Sequence, residues 1–384
     1  MEETWWRKPE DLDDDQKEVI ALPLEGNHLV LGPPGCGKTN LLLLRASYLW
    51  RANKRDFVIL TFTRMLKEFI AKGADNYPFP MENIKTLRSW GGEILKSQNI
   101  PYDSKAPFPQ MWKSLISGLD KIGPEVPDIL KHECILLDES QDYTIDEIKV
   151  LSRFSRQIFA VGDNDQRIYK SDGALDYLKT VCKSPTPLKF HYRNGIKICR
   201  VADGIMASDG KMVNHCNYDE SSYPSTVERH GGLKLAAQIE QAIPVLETQL
   251  RAYPGAYLGV MTYRKDDLAA IGDLLASSSL SDQVQLQLYE GGYKSLDPDR
   301  RIILTTTHSA KGLEFRGVHV LAAQTLRQSD AGNRLAFTAT TRAKTSLAFY
   351  HDGGLPGYLE RGIAASDDTP APLPKLEDLF GGTQ

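Results

Sequence analysis

The sequence predicts an α/β protein in which two parallel β-sheets follow one another along the chain. Short β-rich runs alternate with helical patterns over most of the 384 residues, which is typical of parallel strands connected by helices. The β-rich runs are too numerous for one compact sheet with a single switch point. A Ser-Pro-Thr-Pro segment at residues 184–187 interrupts the pattern, so we expect one domain at residues 1–185 and a second at 186–363.

The expected elements of the first domain are strands at residues 27–31, 57–62, 134–137 and 157–161, with helices at 39–51, 66–72, 89–96 and 145–154. The second domain is expected to contain helices at 236–251 and 265–275 and strands at 257–262, 284–288, 302–307, 318–322 and 347–350. Residues 364–384 are acidic and rich in proline, which predicts a flexible tail.

Composition limits the classes of protein. The five cysteines include no Cys-x-x-Cys pair, which argues against a disulfide framework or a zinc ribbon and favours a reducing cytoplasm. No apolar run approaches the roughly 20 residues of a membrane span, so we expect no membrane partner. The net charge is −4, but both ends are acidic and residues 26–350 carry +6. This distribution is compatible with a nucleic-acid cleft.

The segment GPPGCGKT lies between the first predicted strand and a leucine-rich helix. This strand–loop–helix context fits the phosphate-binding pattern GxxxxGKT, whose backbone N–H groups and following helix N-terminus face phosphate oxygens. In that pattern Lys38 reaches the outer phosphates and the Thr39 hydroxyl binds Mg²⁺. The residues expected to contact a nucleoside triphosphate are Gly32, Pro33, Pro34, Gly35, Cys36, Gly37, Lys38, Thr39 and Asn40.

A second chemical signal is the acid pair Asp138-Glu139, which ends an apolar strand in the segment ILLDESQD. A carboxylate at the carboxyl edge of a strand beside a phosphate loop is suited to hold Mg²⁺. A neighbouring carboxylate can orient and deprotonate an attacking water. We therefore expect Asp138 to be a metal ligand together with Thr39, and Glu139 to be the general base.

With these motifs established, the chain resembles superfamily 1 helicases of the UvrD/Rep family over nearly its whole length. Motifs occur in the order of that family: Gln16, GPPGCGKT, LTFTRMLKEF (60–69), KTLRSWGGEIL (85–95), LLDESQD (136–142), AVGDNDQRIY (160–169), HYRN (191–194), TTHSAKGLEF (306–315) and RLAFTATTRAK (334–344). The segment AKGLEF followed by TRAK is highly specific. A small-molecule kinase with a phosphate loop would explain neither HYRN nor AKGLEF.

The resemblance implies two RecA-like P-loop NTPase domains with ATP and Mg²⁺ bound between them. It implies that Gln16 reads the edge of adenine and Tyr192 stacks on its face. It implies nucleotide contacts from the second domain through Gly312 and Glu314. The catalytic residues implied are Glu139 as base, Gln166 at the γ-phosphate and water, and Arg193 and Arg342 as arginine fingers. Phosphoryl transfer needs such positive charge where negative charge develops.

The resemblance also implies binding of single-stranded or tailed DNA, with RNA left open as an alternative. Aromatic residues that stack on bases and hydroxyls that hold phosphates suit sequence-independent binding. Phe62 and Trp90 have core packing as the alternative interpretation. The implied contacts are Thr61, Phe62, Thr63, Arg64, Thr86, Ser89, Trp90, Tyr169 and His308.

The sequence departs from the family where the strand would be gripped. Ser171 and Asp172 replace an aromatic residue and an arginine, and Arg88 replaces a histidine. The segments at 95–134 and 195–310 are too short for the large accessory subdomains of the family. Two functions follow: a 3′–5′ DNA translocase or helicase, or an ATPase switch that controls a partner, such as a nuclease in antiviral defence, with little unwinding.

Overall fold

The computed structural model describes residues 9–61, 77–163, 165, 173–182, 184–288 and 296–367. Within this part of the chain, two six-stranded parallel sheets are flanked by helices, so the predicted α/β class with two sheets in tandem is confirmed. Because all strands of a parallel sheet point the same way, the loops that follow them converge at one edge. That edge holds the phosphate loop and the acid pair.

The first sheet has the strand order β3-β2-β4-β5-β1-β6. Its strands are β1 (His28–Leu31), β2 (Phe57–Thr61), β3 (Ile84–Thr86), β4 (Cys134–Leu137), β5 (Ile158–Gly162) and β6 (Thr186–Pro187). Its α-helices are α1 (Asp14–Ala21), α2 (Lys38–Arg51), α3 (Leu87–Ser97), α4 (Phe108–Asp120), α5 (Ile145–Arg153) and α6 (Ala174–Val181).

The second sheet has the order β7-β12-β11-β8-β10-β9. Its strands are β7 (Thr226–His230), β8 (Leu258–Thr262), β9 (Val284–Gln287), β10 (Ile302–Thr306), β11 (Phe315–Val320) and β12 (Ala343–Tyr350). Its helices are α7 (Ile196–Met206), α8 (Leu235–Ala252), α9 (Lys265–Ala276), α10 (Asp330–Thr340) and α11 (Gly357–Ala365).

Both faces of each sheet are apolar, which explains why the strands read as nearly continuous hydrophobic runs. In β1, Leu29 joins a core that includes residues of α3 to α6, whereas its neighbour Val30 faces the leucines of α2. In β8, Val260 faces α8 and α9, and Met261 faces α7, α10 and α11. Alternate residues of one strand therefore stabilise opposite layers.

The segment at residues 95–134 contributes to the first core. Its helix α4 places Leu115 and Leu119, both fully buried, against Trp90 and Leu95 of α3 in the same apolar cluster. Gly91 permits this close packing, because an added Cβ there would lie 3.1 Å from Leu119 Cδ1. The segment is thus part of the first α/β unit, in keeping with the short length noted from the sequence.

Some expected bounds differ from the structure. Strands β3, β6 and β7 were not predicted, since β3 and β6 are very short and β7 is mostly exposed. Because Thr186 pairs with Val30, the first sheet extends past the expected boundary at 185, and the division into domains stays a prediction. Helix α11 continues to Ala365, beyond the expected start of the tail at 364. The expected helix at 66–72, and the tail from residue 368, lie outside the described residues.

The carboxyl ends of the central strands are in register. Leu31 of β1 is paired with Gly162 of β5, and Leu137 of β4 is paired with Ala160 of β5. The phosphate loop after β1, Asp138 after β4 and Asp163 after β5 therefore leave the sheet side by side. Among the described residues, no helix has the length and apolar character needed to cross a membrane.

Glycines allow helices α7 and α11 to approach closely. A Cβ added at Gly362 would lie 2.8 Å from the Val201 carbonyl oxygen and 2.7 Å from Ile205 Cγ1. We therefore expect Gly362→Val to lower the free energy of unfolding by about 1–3 kcal/mol, the usual cost of overpacking. The measurement is urea unfolding. The matched control is Gly357→Val in the same helix, where an added Cβ meets nothing within 4 Å. Equal effects of the two substitutions would contradict the packing argument.

Candidate active site

The phosphate loop has the backbone shape that its sequence requires. Gly35 and Gly37 adopt φ values of 76° and 85°, a left-handed region that favours glycine. A Cβ on Gly35 would lie 2.5 Å from the Cβ of Arg193, which comes from the segment that leads into the second sheet. Gly37 precedes the first residue of α2, so the loop ends at a helix N-terminus. These features form a cradle for an anion.

Lys38 and Thr39 are the first two residues of α2, and both face the loop and the acid pair. The Lys38 ammonium donates hydrogen bonds to the carbonyls of Gly32 (2.7 Å) and Pro33 (2.8 Å) and lies 4.0 Å from Asp163 Oδ2. The Thr39 hydroxyl donates to Asp138 Oδ2 at 2.9 Å. A hydroxyl and a carboxylate oxygen therefore lie side by side, which is the hard oxygen donor set that Mg²⁺ prefers.

Glu139 is held in an unusual backbone conformation at the end of β4. Its φ is 49°, which is rare for a residue with a side chain and is typical of strained functional positions. Its carboxylate accepts a hydrogen bond of 2.5 Å from Gln141, whose own carbonyl oxygen accepts from the backbone N–H of Asp163. The base candidate is thus oriented by a neighbour that is itself fixed to the end of β5.

The second sheet contributes a charged group opposite the loop. Glu314, immediately before β11, forms ion pairs with Arg193 and with Lys344, the latter at 3.3 Å. The Arg193 Nε atom is buried and has no hydrogen-bond partner among the described residues. One donor of this guanidinium is therefore left over at the edge of the cavity.

Arg342 lies deeper than Arg193 and is almost fully buried. Its guanidinium donates to the carbonyls of Thr338 (3.3 Å) and Leu313 (3.1 Å). Burial, followed by repulsion from Arg193, lowers the pKa of Arg342 to about 10, so it still carries its charge at neutral pH. The side chain is therefore a fixed cation whose position is set by α10 and by the AKGLEF segment.

Gln16 and Tyr192 meet at the other end of the phosphate loop. The Gln16 amide donates to the Cys36 carbonyl at 3.0 Å, and its oxygen caps the Asp13 N–H at the start of α1. The Tyr192 hydroxyl donates to the Asp13 carboxylate, and its backbone N–H donates to the Gly35 carbonyl at 3.1 Å. Gln16 and Tyr192 are thus both held by the phosphate loop and by Asp13, and their role in recognising a base stays a prediction.

These residues enclose one cavity of about 250 Å³ between the two sheets. Most of the expected nucleotide and catalytic residues line it, whereas Gly32, Pro33 and Cys36 lie behind it as hydrogen-bond acceptors for Lys38 and Gln16. The lining residues are Gln16, Pro34, Gly35, Gly37, Lys38, Thr39, Asn40, Asp138, Glu139, Tyr192, Arg193, Tyr218, Gly312, Glu314, Arg316, Arg342 and Lys344. Gln166 lies outside the described residues.

Three lining residues were not predicted from the sequence: Tyr218, Arg316 and Lys344. Arg316 directly follows AKGLEF, and Lys344 is the last residue of TRAK, so both had a motif that could have indicated them. The Arg316 guanidinium lies 3.9 Å from the centre of the Tyr223 ring, a cation–π contact that fixes its position. Tyr218 had no such signal, because its segment matches no motif.

A buried ion pair joins the two sheets beside this cavity. The Lys311 ammonium lies 2.6 Å from Asp142 Oδ1, and the side chains are 2% and 0% exposed. Lys311 belongs to AKGLEF, and Asp142 belongs to LLDESQD, but neither residue was assigned a role from the sequence. A second ion pair between the two halves, Lys211 with Asp165, is more exposed and therefore contributes less to stability.

The charges of the cleft shift the pKa values of the two adjacent acids in opposite directions. Burial, followed by repulsion from Glu139, raises the pKa of Asp138 to about 7. Burial also acts to raise the pKa of Glu139, but the positive charges of Lys311, Lys38 and Arg342 outweigh it and hold that pKa below its ordinary value. The cations therefore keep Glu139 ionised and able to accept a proton.

The residues expected to contact nucleic acid are only partly brought together. Thr61 is buried at the end of β2, Thr86 caps helix α3 through the N–H of Ser89, and His308 is half-buried after β10. Ser89 is exposed, and its hydroxyl donates to Glu93. Phe62, Thr63, Arg64 and Tyr169 lie outside the described residues.

Trp90 requires a correction. Its side chain is 2% exposed, its ring meets Phe154 edge to face at 5.4 Å, and its indole N–H donates to His132 at 3.1 Å. Because the ring is enclosed in the core of the first sheet, neither face is open to a base. The expectation that Trp90 stacks on nucleic acid was wrong, since an amphipathic helix buries its large aromatic residue against the sheet.

The Lys311–Asp142 pair generates a test of how the sheets are joined. We expect Lys311→Met to lower the free energy of unfolding by up to about 3–5 kcal/mol, because it leaves the Asp142 carboxylate buried without its cation. The double variant Lys311→Met/Asp142→Asn removes both charges and should recover part of that loss. Chemical denaturation of the wild type, both single variants and the double variant measures the coupling. Additive effects of the two single changes would contradict a direct pair.

Two family models match separate parts of the chain. A family model described as an AAA domain matches residues 16–172, and a model described as the UvrD-like helicase C-terminal domain matches residues 302–350. The structure of the C-terminal domain of a possible DNA helicase from Lactobacillus plantarum WCFS1 is similar at 23% identity and a TM-score of 0.34, covering 46% of this chain and 96% of that one. No curated protein matches the chain. The two family models, which contain the phosphate loop and the AKGLEF and TRAK segments respectively, support a relationship of the chain to the UvrD-like helicases.

Proposed function

We propose that the protein is an ATP-dependent translocase or helicase on single-stranded DNA that hydrolyses ATP in the cavity between its two sheets. The observation that carries this proposal is that one cavity is lined by the phosphate loop, the acid pair and three arginines from the second half of the chain. Nucleotide binding at such a place draws both halves together, and hydrolysis releases them. Repeated closure of this kind can move a strand.

In the proposed mechanism, each side chain has a distinct task. Glu139 accepts the proton of the attacking water, and Gln141 holds the Glu139 carboxylate in place. Arg342 and Arg193 stabilise negative charge that develops on the transferred group. Thr39 and Asp138 would hold magnesium, which when bound supplies further neutralisation of the phosphates. Gln166 would orient the water.

The base end of the cavity favours a purine nucleotide that can be read through its edge. Gln16 carries both a donor and an acceptor in its amide, and the Tyr192 ring lines the same cavity. Glu314 and Lys344 would contact the nucleotide from the second sheet. We propose ATP as the nucleotide, since Gln16 and Tyr192 match the adenine-reading positions of the family.

The DNA partner and the 3′–5′ polarity are part of the proposal and rest on the family. Thr86, Ser89 and His308 are the residues that we assign to strand contacts. Thr61, which is buried, and the undescribed Phe62, Thr63, Arg64 and Tyr169 are the remaining candidates. ATPase rates measured with and without single-stranded DNA test the DNA partner. Unwinding assays on duplexes with either a 3′ or a 5′ tail then test the polarity. No stimulation by DNA would refute a DNA motor.

One observation favours the second candidate function, a nucleic-acid-responsive switch that controls a partner such as a nuclease in antiviral defence. Because Trp90 lies in the core, one of the expected stacking residues is lost, and a base stack contributes about 1–3 kcal/mol. A weaker grip on the strand suits sensing better than processive unwinding. ATPase activity that DNA stimulates, without unwinding of either tailed duplex, would support this function.

Glu139 should be essential for turnover but not for binding. We expect Glu139→Gln to bind ATP with nearly unchanged affinity and to lose at least about 10²-fold in kcat, because the amide keeps the shape of the side chain but cannot accept the proton. Steady-state ATPase rates and equilibrium binding of a fluorescent ATP analogue measure the two effects. The matched control is Glu133→Gln, an acid before β4 that lies outside the cavity lining. Turnover near the wild-type rate would exclude Glu139 as the base.

Arg342 should act mainly on the rate of hydrolysis. We expect Arg342→Ala to reduce kcat by about 10³-fold or more, the range for an arginine finger, with a smaller effect on ATP affinity. Because the side chain also donates to the Thr338 and Leu313 carbonyls, thermal melting must accompany the kinetics. Arg342→Lys, which keeps a cation, serves as the second variant. A loss confined to affinity would make Arg342 a binding residue rather than a catalytic one.

A further inference from the structure

A cluster of three metal-ligating side chains lies outside the nucleotide cavity. His191, Cys199 and Cys216 each offer one nitrogen or sulfur atom, and these atoms all lie within 4.8 Å of one another. His191 precedes α7, Cys199 lies in the first turn of that helix, and Cys216 follows it. They are separated by more residues than ordinary zinc motifs, so their spacing in the sequence gave no signal of a site.

The backbone brings these three residues together. His191 and Cys216 form a parallel bridge, in which the His191 N–H donates to the His215 carbonyl and the Asn217 N–H donates to the His191 carbonyl. The N–H of Cys199 donates to the Gly195 carbonyl as the helix begins. Backbone hydrogen bonds of a β-bridge and of a helix therefore fix the relative positions of the three residues.

The distances suit tetrahedral coordination. The Cys199 sulfur lies 3.8 Å from His191 Nε2, and both thiols lie 3.3 Å from the Asn194 carbonyl oxygen. With zinc–sulfur bonds of about 2.3 Å and zinc–nitrogen bonds of about 2.0–2.1 Å, the ligand atoms of a tetrahedral site stand roughly 3.5–3.8 Å apart. The Cys199–His191 distance already matches this spacing, and the other ligand-atom distances are at most 4.8 Å. The imidazole must turn away from the Met212 carbonyl for Nε2 to reach an ion.

We propose that His191, Cys199 and Cys216 bind one Zn²⁺ ion. Thiolates and imidazole are ligands that zinc commonly takes in proteins. The buried Nδ1 atom of His191 has no hydrogen-bond partner among the described residues, so it can take up the proton of Nε2. In the metal-free arrangement Nε2 lies 2.7 Å from the Met212 carbonyl and carries the proton. On binding, that proton moves to Nδ1 and each thiol releases one proton, so two protons leave per ion.

The position of the site indicates its purpose. His191 directly precedes Tyr192 and Arg193, both of which line the nucleotide cavity. An ion held by His191, Cys199 and Cys216 would fasten this segment to α7 and to the segment after it, and so would keep Tyr192 and Arg193 at a fixed distance from the second sheet. Cys216 is half-buried while the other two are buried, which gives the ion a way in.

The test uses the full chain under reducing conditions, first stripped with a chelator and then titrated with Co²⁺ as a spectroscopic probe. We expect one Co²⁺ per chain, with the visible bands of a tetrahedral ion and near-ultraviolet bands from thiolate ligands. Zn²⁺ should displace it. Cys199→Ser and Cys216→Ser should each weaken binding at least about 100-fold, beyond the 10–100-fold typical of outer-sphere partners. The matched control is Cys182→Ser, a buried cysteine of the first core, which should bind like the wild type.

A second measurement decides the matter even if a cysteine variant fails to fold. In the wild type, zinc should protect Cys199 and Cys216 from alkylation, mapped by mass spectrometry, and should leave the reactivity of Cys36, Cys134 and Cys182 unchanged. Titration at two pH values should show affinity that rises with pH as two protons are released. No thiolate bands with Co²⁺, no protection by zinc, or a Cys199–Cys216 disulfide in the protein isolated under reducing conditions would overturn the proposal.

Discussion

Buried charges of opposite sign at the place where the two sheets meet are the constraint on which the centre of this molecule depends. The ends of β4 and β5 carry Asp138, Glu139, Asp142 and Asp163, all buried or nearly so. An isolated buried carboxylate is costly, so these acids require cations close by. The cations come from Lys38 of the phosphate loop and from Lys311 and Arg342 of the second sheet. The charges that stabilise the cleft are therefore also the charges that the proposed reaction would use.

The arrangement explains why the acids differ in ionisation although they are neighbours in the chain. The charges of Lys311, Lys38 and Arg342 hold the pKa of Glu139 below its ordinary value, whereas Asp138 and Asp142 have raised pKa values because burial dominates. The placement of nearby cations thus separates a proton acceptor from its neighbours. This separation follows from position in the fold and not from residue type, since all are carboxylic acids.

Much of the fold could be predicted because it is encoded locally. The run before Gly32, the loop itself and the leucines after it give a strand, a turn and a helix whose physics is contained in about 25 residues. The pair Lys311–Asp142 could not be predicted in this way, because it joins residues 169 positions apart and depends on how the sheets meet. For Trp90 the sequence left strand stacking and core packing both open, because an aromatic residue in a strand-binding motif and one in a core look alike in sequence. The His191–Cys199–Cys216 cluster was missed because only a bridge between distant backbone segments brings it together.

The same charges offer a route by which nucleotide binding would change the relative position of the two sheets in the proposed motor. Lys311 forms an ion pair with Asp142, Arg342 lies near Glu139 and donates to backbone carbonyls, and Arg193 forms an ion pair with Glu314. The phosphates of a nucleotide in the cradle of the loop would be anions that compete for these cations. A change of partner for a buried cation shifts the relative position of the elements that carry it, because its geometry is fixed by short contacts. In the proposed mechanism, therefore, the ion pairs that join the two sheets are also the parts through which hydrolysis of the nucleotide would separate them.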